Sequence, residues 1–303
     1  LQIFNELCLV TSAVENRTYK TLMKTPKRLE PLVVDGLVDE VLRQLMSGKE
    51  ATVYVVRCGD DVRCAKVYKD ANHRSFKKNA AYQEGRKVKN SRQARAMEKG
   101  SRYGKQMQEE EWQNAEVDNL YRLAAAGVRV PTPYICSEGV LLMELVVDAN
   151  GNAAPRLNDV EMSPELAREY HDELLKQVVL MLCAGVIHGD LSEYNILVDE
   201  HGPVIIDLPQ AVDAAGNNQA AAMLERDVDN LAEYFGQFAP ELNGSQYGKE
   251  IWGLFEGGLL HPDVKLTGKV KQNHRPVDVR SVLREVEHVK EEHLQRQLPD
   301  FQP

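Results

Sequence analysis

A chain of 303 residues exceeds the usual span of one hydrophobic core and predicts two lobes or domains. At 43% hydrophobic and 27% charged residues its composition is that of a soluble globular protein. Its longest apolar run, Val178 to Ile187, falls well short of the about 20 residues a membrane span requires.

The net charge of −9 is unevenly spread. Between residues 63 and 105, fourteen Lys or Arg face only Asp70, Glu84 and Glu98, a local +11 in an otherwise acidic chain. Such a segment invites an anionic partner, with nucleotide phosphates and RNA both candidates. Residues 1–20 mix Asn5, Glu6, Glu15 and Arg17 into their apolar positions and do not read as a signal peptide. The five cysteines are scattered, odd in number and without a CxxC pair. That pattern argues against a disulfide framework or zinc site and fits a reducing cytoplasm.

In chain order, residues 1–30 read as an extension, and Leu32 to Val38 leads into a β-rich stretch. Val41 to Leu45 predicts a strand, Ser47-Gly48-Lys49 a turn, and Thr52 to Val56, β-branched and aromatic, a second strand. Cys58-Gly59-Asp60-Asp61 is the next turn and Arg63 to Tyr68 the third strand of an antiparallel meander. Residues 90–104 have no clean period and predict a loop within the basic segment. A helical pattern runs from Gln108 to Ala126, with Trp112, Ala115, Val117, Leu120 and Leu123 apolar, and Pro131 and Pro133 mark its exit. Val140 to Met143 predicts a buried strand, and Glu144 to Val147 the crossing between lobes.

The second half predicts mostly helix. Ser163-Pro164 has the form of an N-cap followed by proline at the first helical position, and Gly185 ends that helix. Ile196 to Val198 and Val204 to Ile206 predict a short hairpin; Leu224 to Phe238 and a charged amphipathic tail, Val279 to Leu298, predict further helices. Trp252 and Phe255 read as packing residues, and Asp227 and Asp229 do not read as a metal site.

Chemistry concentrates in Ile187-His188-Gly189-Asp190-Leu191-Ser192-Glu193-Tyr194-Asn195 and the downstream Ile205-Ile206-Asp207. Asp190 lies in a loop after a helix, where a carboxylate can reach a substrate hydroxyl. Asn195 precedes one strand of the hairpin and Asp207 follows the other, so the two converge. An amide oxygen and a carboxylate are hard ligands suited to phosphate-bound Mg²⁺ or Mn²⁺. Phosphoryl transfer asks mainly for positioning and charge neutralisation, which this set supplies. His188 reads as a structural, hydrogen-bonding histidine.

His188-Gly189-Asp190 with Asn195 resembles the catalytic loop of protein kinases, and Asp207 resembles their metal-binding aspartate. That resemblance implies an α+β, two-lobed kinase-like fold acting on ATP, with Asp190 as proton acceptor and Asn195 and Asp207 as metal ligands. Lys66 then resembles the lysine that holds the α- and β-phosphates, and Glu116 its ion-pair partner, with Glu109, Glu110 and Glu111 as competitors. Val53 and Met143 would line the adenine pocket, and the carbonyl of Glu144 and amide of Val146 would bond the adenine edge.

The phosphate loop departs from the kinase pattern, reading Ser47-Gly48-Lys49-Glu50-Ala51 with one glycine instead of three. Ser47 and Lys49 are expected to meet phosphate directly. It is not a Walker A motif, because Glu50 follows the lysine. Ser-Gly-Lys-Glu-Ala, His-Gly-Asp-Leu-Ser-Glu-Tyr-Asn and Ile-Asp-Leu-Pro-Gln-Ala-Val together resemble the RIO family of atypical kinases, its first subfamily above all. The similarity covers about Val33 to Gly268.

The resemblance implies a serine/threonine protein kinase that autophosphorylates, with a reduced C-lobe and a flexible basic loop near the nucleotide. It also implies an ATPase activity in which Asp207 becomes a phosphoaspartate. Ser192 stands where other protein kinases carry a lysine on the γ-phosphate. The domains expected are an extension to residue 30, an N-lobe over 31–143 with the basic loop at about 70–107, a C-lobe over 144–275 and a tail over 276–303. Open alternatives are an ATPase switch on ribosomal RNA–protein particles, contacted through the basic loop, and a small-molecule kinase of the aminoglycoside or choline type.

Overall fold

The computed structural model describes residues 23–69 and 115–270. The basic segment beyond Lys69, Trp112, Glu109 to Glu111 and the tail helix of Val279 to Leu298 lie outside the described residues.

Three consecutive strands form the meander: β1 (Glu40–Ser47), β2 (Ala51–Cys58) and β3 (Asp61–Tyr68). With β4 (Pro133–Ser137) and β5 (Val140–Glu144) they make a five-stranded sheet in the order β1-β2-β3-β5-β4, antiparallel throughout. The pair of prolines that marks the helix exit in the sequence conceals β4. Pro133 opens that strand at the sheet's edge, where a missing N–H costs nothing.

The period of two along each strand sorts the sheet into two faces. Val41, Val56, Ala65, Val67, Val140 and Leu142 pack on one side with Leu29, Leu32 and Val38. Leu29 is fully buried there, so packing of the N-lobe begins before residue 31. Residues 32–38 lead into β1 by way of helix and turn. A short helix, α1 (Glu30–Val34), carries Leu29 and Leu32 onto the sheet.

The opposite face meets a second helix, α2, described over 115–125. Val117, Leu120 and Leu123 of α2 bury against Ala51, Tyr68 and Leu141.

The C-lobe is built on α3 (Pro164–Cys183). Its N-cap is Ser163, whose Oγ accepts the Leu166 N–H at 3.2 Å, with Pro164 at the first helical position. Gly185, at φ 73°, turns the chain out of the helix. After a two-residue strand, β6 (Val186–Ile187), which pairs with β9 (Val212–Asp213), comes the hairpin of β7 (Ile196–Asp199) and β8 (Gly202–Ile205). Helices α4 (Ala220–Gly236) and α5 (Tyr247–Glu256) complete the lobe. Helix α5 went unread in the sequence, although Trp252 and Phe255 do pack against the core as expected, their rings 5.3 Å apart.

Arg129 joins the N-lobe's exit to the hairpin. Its guanidinium holds both oxygens of Asp199 at 2.7 Å, and its carbonyl accepts the Ile205 N–H. No helix among the described residues is long and apolar enough to cross a membrane.

Candidate active site

Strand register aims Lys66 into the cleft. Its neighbours Ala65 and Val67 point into the back-face core, so Lys66 must project to the other side, with its pairing partners Val53 and Leu141. Met143, opposite Cys64 on β5, shares that face and packs half-buried against the central core.

On α2, Glu116 occupies the side that carries Val117 and Leu120 to the sheet and is only 4% exposed. Lys66 Nζ donates to Glu116 Oε1 at 2.6 Å and to Asp207 Oδ1 at 2.8 Å. Tyr68 OH donates to Glu116 Oε2 at 2.8 Å, so both oxygens of this buried carboxylate are satisfied.

Burial disfavours the Lys66 cation. Glu116 and Asp207 more than offset that, holding the ammonium charged well above its ordinary range. Burial likewise works against the Asp207 carboxylate, but Lys66 outweighs it and, with smaller help from His188 and Arg156, keeps Asp207 ionised below the usual range. The backbone at Asp207 is left-handed, φ 67°, a conformation rare outside glycine and least costly for Asn and Asp.

The loop from His188 to Asn195 is held from several sides. Gly189 has φ 82°, which needs a residue without Cβ between His188 and Asp190. His188 Nε2 bonds the Ile206 carbonyl at 3.1 Å and its Nδ1 accepts the Asp190 N–H at 3.3 Å. Those partners give the ring a structural role.

From α4, the buried Asp227 accepts the Gly189 N–H at 2.7 Å and the Leu191 N–H at 3.1 Å. Asn230 donates to the Leu191 carbonyl at 3.1 Å, and Arg226 donates to the Gly189 carbonyl. Each oxygen of Asp227, which does not read as a metal site in the sequence, is thus taken by a backbone amide. Its work is to hold the loop from His188 to Asn195. The only sequence signal was an aspartate on the apolar face of a helix, which does not name its partner.

Hairpin closure sets the remaining pair. The Ile206 N–H bonds the Asn195 carbonyl at 2.9 Å, continuing the β7–β8 ladder, so Asn195 and Asp207 flank its open end. Asn195 Nδ2 donates to the Asp190 carbonyl at 2.9 Å, which leaves its amide oxygen as the group to offer a cation. Among the described residues no cluster of three or more His, Cys, Asp or Glu could hold a metal by itself. One amide and one carboxylate suit a magnesium ion that takes its other ligands from phosphates and water.

Asp190 is exposed in the cleft, and Gln210 Nε2 donates to its Oδ2 at 3.0 Å. Desolvation raises its carboxyl above the usual range, opposed by His188, Arg226 and the Gln210 bond.

Ser47, Gly48 and Lys49 line an open depression together with Lys69, a residue the sequence reading did not single out. Lys69 Nζ reaches the Ser47 Oγ at 3.1 Å and the Gly48 carbonyl at 2.5 Å. Ser47 Oγ also lies 3.2 Å from Thr52 Oγ1, and Lys49 is exposed. In the hinge, the Glu144 carboxylate is engaged by the N–H and hydroxyl of Thr132, and the buried Val146 gives its carbonyl to Ala154 N–H.

The RIO domain family model matches residues 52–246, the segment that holds every one of these groups except the turn at Ser47 to Lys49. This chain belongs to the RIO family. It is 34% identical to the RIO-type serine/threonine-protein kinase Rio1 of Haloferax volcanii, over 73% of this chain and 72% of that one. It is 29% identical to the Rio1 of Methanocaldococcus jannaschii over 83% and 80%. To the serine/threonine-protein kinase rio1 of Schizosaccharomyces pombe it is 31% identical over 70% of this chain, which spans only 41% of that longer relative. A solved kinase domain aligns over 84% of each chain at a TM-score of 0.41 and 16% identity. RIO-family membership brings the two-lobed kinase fold and a reaction class with it: a RIO-type serine/threonine kinase is a phosphotransferase.

Proposed function

We propose that this RIO chain transfers the γ-phosphoryl group of MgATP to a serine or threonine hydroxyl, its own included. One observation carries the reading: a single buried ammonium, Lys66, is gripped by both Glu116 and Asp207, with Asn195 and Asp190 tied together beside them.

In this reading the adenine lies between Val53 and Met143 against the hinge of Glu144 and Val146. Lys66, kept charged by its two carboxylates, neutralises the α- and β-phosphates. Ser47, Gly48 and Lys49 cover the phosphates, with Lys69 bracing their turn. Asn195 and Asp207 would hold Mg²⁺, or Mn²⁺, which supplies charge neutralisation on the phosphates. Asp190 accepts the proton of the substrate hydroxyl as that hydroxyl's oxygen bonds the γ-phosphorus and the bond to ADP breaks. Residues 31–143 act as the N-lobe, extended backward by the packing of Leu29, and 144–275 as the C-lobe.

The test is transfer of label from γ-labelled ATP to the chain itself and to a generic protein acceptor, with Asp190→Asn as the comparison. Equal incorporation by wild type and variant, or no binding of ATP with Mg²⁺, refutes the proposal.

A second reading is favoured by one feature of Asp207, whose side chain is 45% exposed in the cleft although its partner Lys66 is 11% exposed. An ionised, accessible carboxylate can attack the γ-phosphorus, releasing ADP and leaving an acyl phosphate that water then hydrolyses. A hydroxylamine-labile phosphate on residue 207 after turnover supports it, and a hydroxylamine-stable phosphate alone refutes it. In that reading the protein is an ATPase switch, and the basic segment 63–105 contacts RNA or a ribosomal particle in the cytoplasm. Affinity for ribosomal RNA should then fall steeply with salt and with neutralisation of those Lys and Arg residues.

A further inference from the structure

Arg156 is the cleft cation that neither the kinase-like motifs nor the hinge accounts for. It follows the hinge segment and forms a β-bridge with Leu197, two residues beyond Asn195. The residues around it are anchored. Pro155 gives its carbonyl to the Val198 N–H at 2.9 Å, and the fully buried Leu157 gives its carbonyl to Tyr234 OH at 3.0 Å. The backbone is therefore fixed on the C-lobe floor, beside the hairpin that carries the metal-ligand pair.

The side chain crosses to the other lobe. Its Nη2 lies 3.0 Å from the sulfur of Met46, the residue that precedes the Ser47-Gly48 turn. Among the described residues Arg156 has no carboxylate within ion-pair distance, unlike Lys66, Arg129 and Arg168. A thioether is a weak acceptor, so this guanidinium holds its donors in reserve for a stronger one. An anion entering between the phosphate turn and Asp207 would offer charge-assisted, bidentate bonds instead.

We propose that Arg156 is a ligand of the nucleotide's phosphate chain, binding from the C-lobe side opposite Lys66. It would restore to the cleft a positive charge where Ser192 provides none. The proposal rests on the reading of this cleft as a nucleotide site.

The test is calorimetric titration of the whole chain with ATP, ADP and adenosine in Mg²⁺, for wild type, Arg156→Ala and Arg156→Lys. Charge-assisted bonds of this kind predict a loss in ATP and ADP affinity on the order of tenfold to a hundredfold for the alanine variant. Adenosine affinity should stay within about twofold, a shift of only a few tenths of a kcal/mol. The lysine variant should recover part of the loss, because it keeps the charge and not the fork, and it carries the test should the alanine variant fail to fold. Undiminished ATP affinity in Arg156→Ala overturns the proposal. So does an equal loss for adenosine, which would make Arg156 a strut between the lobes. A wild-type chain that binds no nucleotide fails the reading of the cleft itself, a different result from wild-type binding that Arg156 does not affect.

Discussion

Replacing Asp227 by alanine isolates what α4 does for the loop that carries Asp190. Asp227 is 1% exposed and takes two backbone N–H groups, at 2.7 Å from Gly189 and 3.1 Å from Leu191. Alanine leaves both donors buried without an acceptor, at about 1–3 kcal/mol each. The Arg226 guanidinium, which bonds the Gly189 carbonyl, also loses a neighbouring negative charge. Against that stands the relief of a costly buried carboxylate, whose pKa burial raises. The net expectation is a loss of about 2–4 kcal/mol from a stability that for a domain of this kind is about 5–15 kcal/mol.

The loop carries Asp190, so displacement by even 1 Å should lower kcat about 100-fold, while KM for ATP changes little. Urea unfolding followed by fluorescence measures the first quantity, and initial rates across ATP concentrations measure the second. Asp229→Ala, an exposed site on the same helix, is the control and should match wild type. An Asp227→Ala chain with an unchanged unfolding midpoint and unchanged kcat would refute the claim that this carboxylate holds the loop.

Lys66→Met should abolish transfer and also destabilise the fold by about 3–5 kcal/mol, because it strands the buried Glu116 with only Tyr68 as partner. Adding Glu116→Gln should recover much of that stability without restoring activity, which unfolding curves and rates read separately. The pH profile of kcat should fall on the acid side as Asp190 takes up a proton, at a midpoint above the ordinary aspartate value of 3.8. Gln210→Leu removes a bond that favours the carboxylate, so that limb should move to higher pH; an unmoved limb, or one moved to lower pH, counts against Asp190 as the titrating base. Gly248→Ala would place its Cβ 2.8 Å from the Glu225 Cα, forcing α4 and α5 apart. It should cost about 1–3 kcal/mol in the same unfolding assay.

Local spacing made much of this molecule legible from its residues. Strands β1 to β3 carry their own period and turn residues, and the Ser163-Pro164 cap and Gly185 bracket α3. The hairpin length between Asn195 and Asp207 is enough to bring those two side chains to one end of β7 and β8. The places where pattern failed have physical causes. Pro133 disguised an edge strand, and Leu29 and Leu32 are too few to show a helical period in α1.

What the chain determines by itself is chemistry set by neighbours in sequence: which carboxylates, amides and cations exist, and how a short turn spaces them. Folding alone decided which distant groups serve them. Asp227 reaches the Gly189 amide across 38 positions, and Arg156 reaches Met46 across 110. Lys66 is forced into the cleft because Ala65 and Val67 are drawn into the opposite core. Residue type and spacing specify a strand or a cap through short-range sterics. The partners of a buried charge are specified only when whole elements pack and bring them within reach.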